Sequence, residues 1–105
     1  MSGAGYVLEK NNSTGKWNEI LPEYSGVKIK YNTNYELEGK IEASHPKLIE
    51  YLKTIPNEPL RVNLVDSGAV IGVDDYNHVY EINNWRIEGM FIVGNISLLI
   101  KEKED

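Results

Sequence analysis

A chain of 105 residues with 41% hydrophobic residues, 26% charged residues and ten aromatics holds one core's worth of material and is too apolar for a disordered segment. Lacking cysteine, it has no disulfide, thiolate metal site or catalytic thiol, a composition that fits a cytoplasm, or a host's cytoplasm for a phage-encoded protein. The net charge of −5 falls mainly in the second half, where only Arg61 and Arg86 oppose six acids between Thr54 and Ile100, so no basic groove for nucleic acid is expected.

The opening residues "MSGAG" contain neither a charged leader nor an apolar block, and read as a flexible start over residues 1–4. Apolar runs reach four residues at most, so a soluble chain without a membrane span is expected. "GYVLEK", "KWNEI" and "VKIKY" then read as strands separated by the turn chemistry of "NNSTG" and "PEYSG". "YELEGKIEA" alternates Tyr35, Leu37, Gly39, Ile41 and Ala43 with Glu36, Glu38, Lys40 and Glu42, which predicts a strand with one apolar and one charged face.

The period changes at "SHPKLIEYLKTIP". Leu48, Tyr51, Leu52 and Ile55 form an i, i+3, i+4, i+7 stripe, with Ser44 and His45 as a capping segment, Pro46 in the first turn and Pro56 past the end. A helix over residues 46–55 is predicted. Strands resume with "LRVNLV", "AVIGV", "HVYEI", "WRIEGMFIV" and "ISLLIK", bounded by "DSG", "DDYN", "NN" and "GN". Gly94 and Asn95 suit a tight hairpin turn, and Gly89 suits a bulge or bend within a long strand. The near-continuous apolar character of "FIVGNISLLI" predicts burial on both faces, and "KEKED" over residues 101–105 reads as a fraying tail. The expected fold is one α+β domain: a mostly antiparallel curved sheet or partly open barrel with a single helix on one face.

"GVDDYNHVYE" holds the densest set of polar residue types. On a continuous strand Asp74 and Asp75 would point to opposite faces, so they converge only at a turn, and a turn by itself accounts for Asp and Asn. The spacing lacks the central glycine and distal glutamate of a calcium loop, and the two histidines, His45 and His78, have no zinc-like spacing. His78 reads as a strand-surface residue. Ser44, Ser67 and Ser97 lie in no nucleophile elbow, and "SGAVIG" lacks the lysine of a phosphate loop. The expectation is therefore a non-enzyme with no cofactor and no metal.

Tyrosine and tryptophan at polar edges are typical of interfaces, which makes Trp17, Tyr24, Tyr76 and Tyr80 the candidate exposed anchors. Tyr31, Tyr35 and Trp85 have similar polar neighbours. Glu36, Glu38 and Glu42 are a candidate acidic stripe, and Asp74 and Asp75 flank Tyr76 at the tip of a predicted hairpin. Together these point to a small acidic domain that docks on a larger, basic-surfaced protein and inhibits or regulates it. That profile is shared by bacterial or phage inhibitors, immunity and anti-defence proteins. One alternative is an assembly subunit that forms homo-oligomers through residues 85–100. Another is a small metal-binding or hydrolytic protein using Asp74, Asp75 and His78.

Overall fold

The computed structural model describes residues 2–65 and 76–103. Its strands are β1 (Ser2–Lys10), β2 (Trp17–Glu19), β3 (Gly26–Lys30), β4 (Lys40–Ala43), β5 (Leu60–Val65), β6 (Tyr76–Glu88) and β7 (Phe91–Lys103). The one helix among the described residues, α1 (Pro46–Leu52), separates β4 from β5. All pairings are antiparallel and run β2-β1-β3-β4-β7-β6-β5, and an additional β1–β5 pairing closes the sheet on itself. The result is a small six-stranded barrel to which β2 is appended. Two three-stranded meanders, β1-β3-β4 and β5-β6-β7, meet along β1–β5 and β4–β7.

Closure depends on β1, which pairs with β3 through residues 2–6 and with β5 through residues 4–8. The N-terminal residues from Ser2 are thus a paired strand and not the flexible start that composition suggested. A Cβ on Gly5 would lie 2.3 Å from the Asn63 carbonyl oxygen and 2.7 Å from Ile29 Cδ1. Only glycine lets the backbones meet at this corner.

Alternation decides which side chains fill the barrel. Val27 and Ile29 of β3, Ile41 and Ala43 of β4, and Leu60, Val62 and Leu64 of β5 are buried, and Leu48, Ile49 and Leu52 of α1 join the same core. His45 caps the helix in an extended conformation imposed by Pro46, its Nδ1 accepting from the Lys47 amide at 3.1 Å. The helix ends at Leu52, short of the predicted Ile55. The Tyr51 carbonyl there accepts from both the Thr54 amide and the Thr54 hydroxyl, at 2.9 and 2.7 Å.

Three expectations fail in the second meander and its neighbour. β6 runs through "NN" without a hairpin: Asn84 takes φ 51° and the register shifts between Asn83 and Arg86, a bulge that turns Trp85 inward after His78, Tyr80 and Ile82. The hairpin turn lies at Gly89, whose φ is 61°, and β7 continues straight through Gly94 and Asn95. Gly94 is required for another reason, since a Cβ there would come within 2.9 Å of Asn83 O and Trp85 Cα at the bulge.

The predicted strand over residues 35–43 is regular only from Lys40 to Ala43. Tyr31 and Leu37 form an isolated bridge, Asn32 Oδ1 accepts from the Asn34 and Glu36 amides, and Tyr35 takes φ 59°. Tyr35 and Leu37 still pack on the core, so the apolar alternation is used without an extended ladder. "AVIGV" lies outside the described residues.

Candidate functional site

The outer face of β1 carries Leu8 and Lys10, two residues apart and so on one side of the strand. Leu8 lies opposite Arg61 of β5, Lys10 opposite Trp17 of β2, and Arg61 opposite Glu81 of β6. Arg61 reaches across β1 to place its guanidinium 4.4 Å from the centroid of the Trp17 ring. Here the cation meets the negative face of the indole, and a planar guanidinium is well suited to such stacking.

A groove of about 480 Å³ opens beside this pair, lined by Lys10, Asn12, Trp17, Glu58, Arg61 and Glu81 together with Pro59. Its floor is anchored through the core. Trp85 Nε1 donates to the Glu58 carbonyl at 2.6 Å, Asn57 Nδ2 donates to the Trp85 carbonyl, and Asn12 Nδ2 donates to Glu58 Oε2 at 3.3 Å. Two cations and two carboxylates share one rim, ordered by three strands and a tethered loop. Such a surface can accept a partner's apolar or planar group on the Trp17–Arg61 pair and match charges of either sign around it.

Beside the groove, the Tyr51 hydroxyl donates to the Glu9 carboxylate at 2.7 Å. That bond, with burial and the carboxylate's charge acting alongside, pushes the phenol up to about 12. At the other end of the barrel, Tyr31, Tyr35 and His78 stack at centroid distances of 5.3 and 3.9 Å, and the Tyr80 hydroxyl donates to the Tyr35 carbonyl at 2.5 Å. Burial, then the neighbouring Tyr31 and Tyr35, raises Tyr80 to about 12.

Of the anchors expected from sequence, Trp17 lines the groove, while Tyr80 is 1% exposed and fills the core. Tyr80 could not act as an outward anchor, because the alternation in β6 sends it inward with Ile82. His78 is likewise wholly buried, not on the strand surface. Tyr24 is held at the start of α1, its ring 4.5 Å from His45 and 4.8 Å from Lys47 Nζ. Asp74 and Asp75 lie outside the described residues, as does the side chain of Tyr76.

The predicted acidic stripe spans two neighbouring clefts that share Glu38. Glu36 belongs to the Asn32 turn, with its carboxylate accepting from Asn32 Nδ2 at 3.2 Å. Glu38 and Glu42 line a separate surface cleft of about 410 Å³ with Lys28, Lys30, Lys40 and Phe91, where Glu42 faces Lys28 and Phe91 in register. Glu36 and Glu38 also line a common cleft beside Lys30, so lysines stand among the glutamates in both clefts.

Sequence reasoning does not single out Arg61, Lys10, Glu58 or Glu81. They converge through the β1–β5 closure, which joins residues about fifty positions apart and leaves no local signature. A lone arginine in the apolar "LRVNLV" is the one available hint. Among the described residues no three His, Asp or Glu side chains gather as a metal site would require, and no helix is long and apolar enough to cross a membrane. Comparison with protein-family models, with curated proteins and with solved structures finds no match to this chain.

Proposed function

We propose that this chain is a non-catalytic protein-binding domain that docks on a larger protein and inhibits or regulates it, with the Trp17–Arg61 groove as its docking surface. The observation that carries this reading is the stacked Trp17–Arg61 pair beside an open, charge-balanced groove. Tryptophan and arginine dominate the energetics of protein interfaces, and a guanidinium already held on an indole loses little freedom when a partner arrives. Net charge of −5 favours encounter with a basic surface, while Glu58 and Glu81 supply local acceptors for its cations.

The test begins with capture on immobilised protein and identification of the bound partner, followed by titration of that purified partner against W17A and R61A. Each substitution should weaken binding by about thirtyfold, the effect of losing roughly 2 kcal/mol at an interface anchor. The proposal is rejected if the partner binds both variants as tightly as the unmodified chain.

A further inference from the structure

We infer that the distal half of β7 is a dimerisation edge whose occupant is the same segment of a second copy of this chain, paired antiparallel across a two-fold axis. This surface is distinct from the Trp17 groove, and the inference is independent of the function proposed for that groove.

The starting point is the short β4. Lys40, Ile41 and Glu42 pair with Val93, Ile92 and Phe91, and the Gly94 amide donates to the Gly39 carbonyl at 3.0 Å. Beyond that point residues 35–38 leave the ladder: Tyr35, at φ 59°, stacks on His78, and its carbonyl accepts from the Tyr80 hydroxyl. Continued in the same register, Glu38, Leu37 and Glu36 would have lain opposite Asn95, Ile96 and Ser97. Instead, β7 from Asn95 onward pairs with β6 alone among the described residues. Every second amide and carbonyl of an antiparallel edge strand points away from its one neighbour, which leaves a template for another strand.

The side chains at this edge are apolar. Leu98 and Leu99 are 40% and 41% exposed. They adjoin at a bulge: Tyr80 pairs with Leu98 and Val79 with Ile100, so Leu99 has no opposite residue on β6. Native edge strands are ordinarily blunted by charge, proline or shortness. Asn95 to Leu99 has none of these three, the charged positions of β7 being confined to 101–103, and the bulge at Leu98–Leu99 is the one edge device it carries.

Self-pairing is favoured by the order of residues along the strand. With the two-fold axis between Leu98 and Leu99, each Leu98 faces the other copy's Leu99, Ser97 faces Ile100, Ile96 faces Lys101, and Asn95 faces Glu102. No two like charges oppose each other. The contact is isologous and closed, so it yields a dimer and not a fibre.

Light scattering and sedimentation on the full chain provide the test. Twice the 11.9 kDa chain mass is expected, with dissociation on dilution. L98E/L99E places carboxylates opposite one another across the axis and should raise the dimer dissociation constant about a hundredfold or more. Both leucines are already exposed, so the variant should keep its near-ultraviolet circular dichroism and confirm that the fold survives.

Register is read separately, since the chain has no cysteine of its own. On oxidation, L98C chains and L99C chains should each cross-link across the axis, whereas N95C chains should not, because residue 95 faces Glu102 and lies about seven residues along the strand from its own copy. A monomer at all concentrations overturns the inference, even if another protein is found to bind through these leucines. So does a dimer that is indifferent to L98E/L99E, or one that N95C cross-links as readily as L98C or L99C.

Discussion

Gly94 and Gly89 offer a decisive pair of substitutions, because sequence and structure give them opposite roles. At the centre of a tight turn, Gly94 would tolerate asparagine, which accepts positive φ at little cost. In the barrel it sits mid-strand, and any Cβ meets the Asn83 carbonyl oxygen and Trp85 Cα at 2.9 Å and Ile82 Cγ2 at 3.2 Å. Two of these neighbours are backbone atoms of the β6 bulge and cannot swing aside. Overpacking of that kind costs about 1–3 kcal/mol, against roughly 0.5–1 kcal/mol recovered by removing a glycine from a strand. The net loss is centred on about 1 kcal/mol and reaches about 2.5 kcal/mol, which lowers Tm by roughly 4–8 °C for each kcal/mol in a domain of this size. Gly89, at φ 61° with nothing within 4 Å of where a Cβ would stand, should accept asparagine within about 0.5 kcal/mol. Thermal melts of G94N and G89N read both values. A G94N protein melting with the unmodified chain would refute the placement of Gly94 against the bulge, and with it the course of β7.

Other consequences are open to simpler measurement. H45A removes the acceptor for the Lys47 amide and should cost about 1 kcal/mol by urea denaturation, while H45N, which keeps a capping acceptor, should recover most of it. Tyr51 and Tyr80 are raised from 10.0 to about 12, so their neutral phenols are favoured in the fold. That contribution is fully present below pH 10 and is lost as pH rises towards 12, which denaturation midpoints across this window will show. Y51F should flatten part of the dependence; an unchanged profile would remove Tyr51 as a cause. Y80F should leave the Tyr35 carbonyl without the hydroxyl at 2.5 Å and lower Tm.

Period-two alternation is a sound guide wherever a strand keeps one register. It places Val27 and Ile29, and Leu60, Val62 and Leu64, on buried faces, and the change of period at Pro46 locates the helix. It fails where parity changes inside one strand. The Asn83–Arg86 bulge moves the inward set from His78, Tyr80 and Ile82 to Trp85, and a sequence window reads that shift as two strands with a turn between them. Gly94 misleads for the same reason: glycine marks a turn or a close backbone approach, and only the partner strand shows which. The groove is less legible still. Trp17 can be chosen by residue type, but its meeting with Arg61 follows from barrel closure, a long-range event that no local pattern encodes.

Residues 35–39 show how local chemistry can defeat a correct hydrophobic pattern and create a surface in doing so. Asn32 offers its side-chain oxygen to two amides within four residues, a local alternative to the ladder. Once that turn forms, Tyr35 and Leu37 reach the core from a folded-back segment, so burial is satisfied without strand pairing. The cost falls on β7, which loses the neighbours that residues 95–98 would have had, beside the exposed Leu98 and Leu99. The same alternation that predicts a longer β4 predicts cover for β7 as far as Leu98; that stretch is an open edge because polar groups at Asn32 outcompete four further rungs of sheet. An interaction surface of this kind is visible only after the ladder has been counted residue by residue, since its apolar residues look in sequence like core.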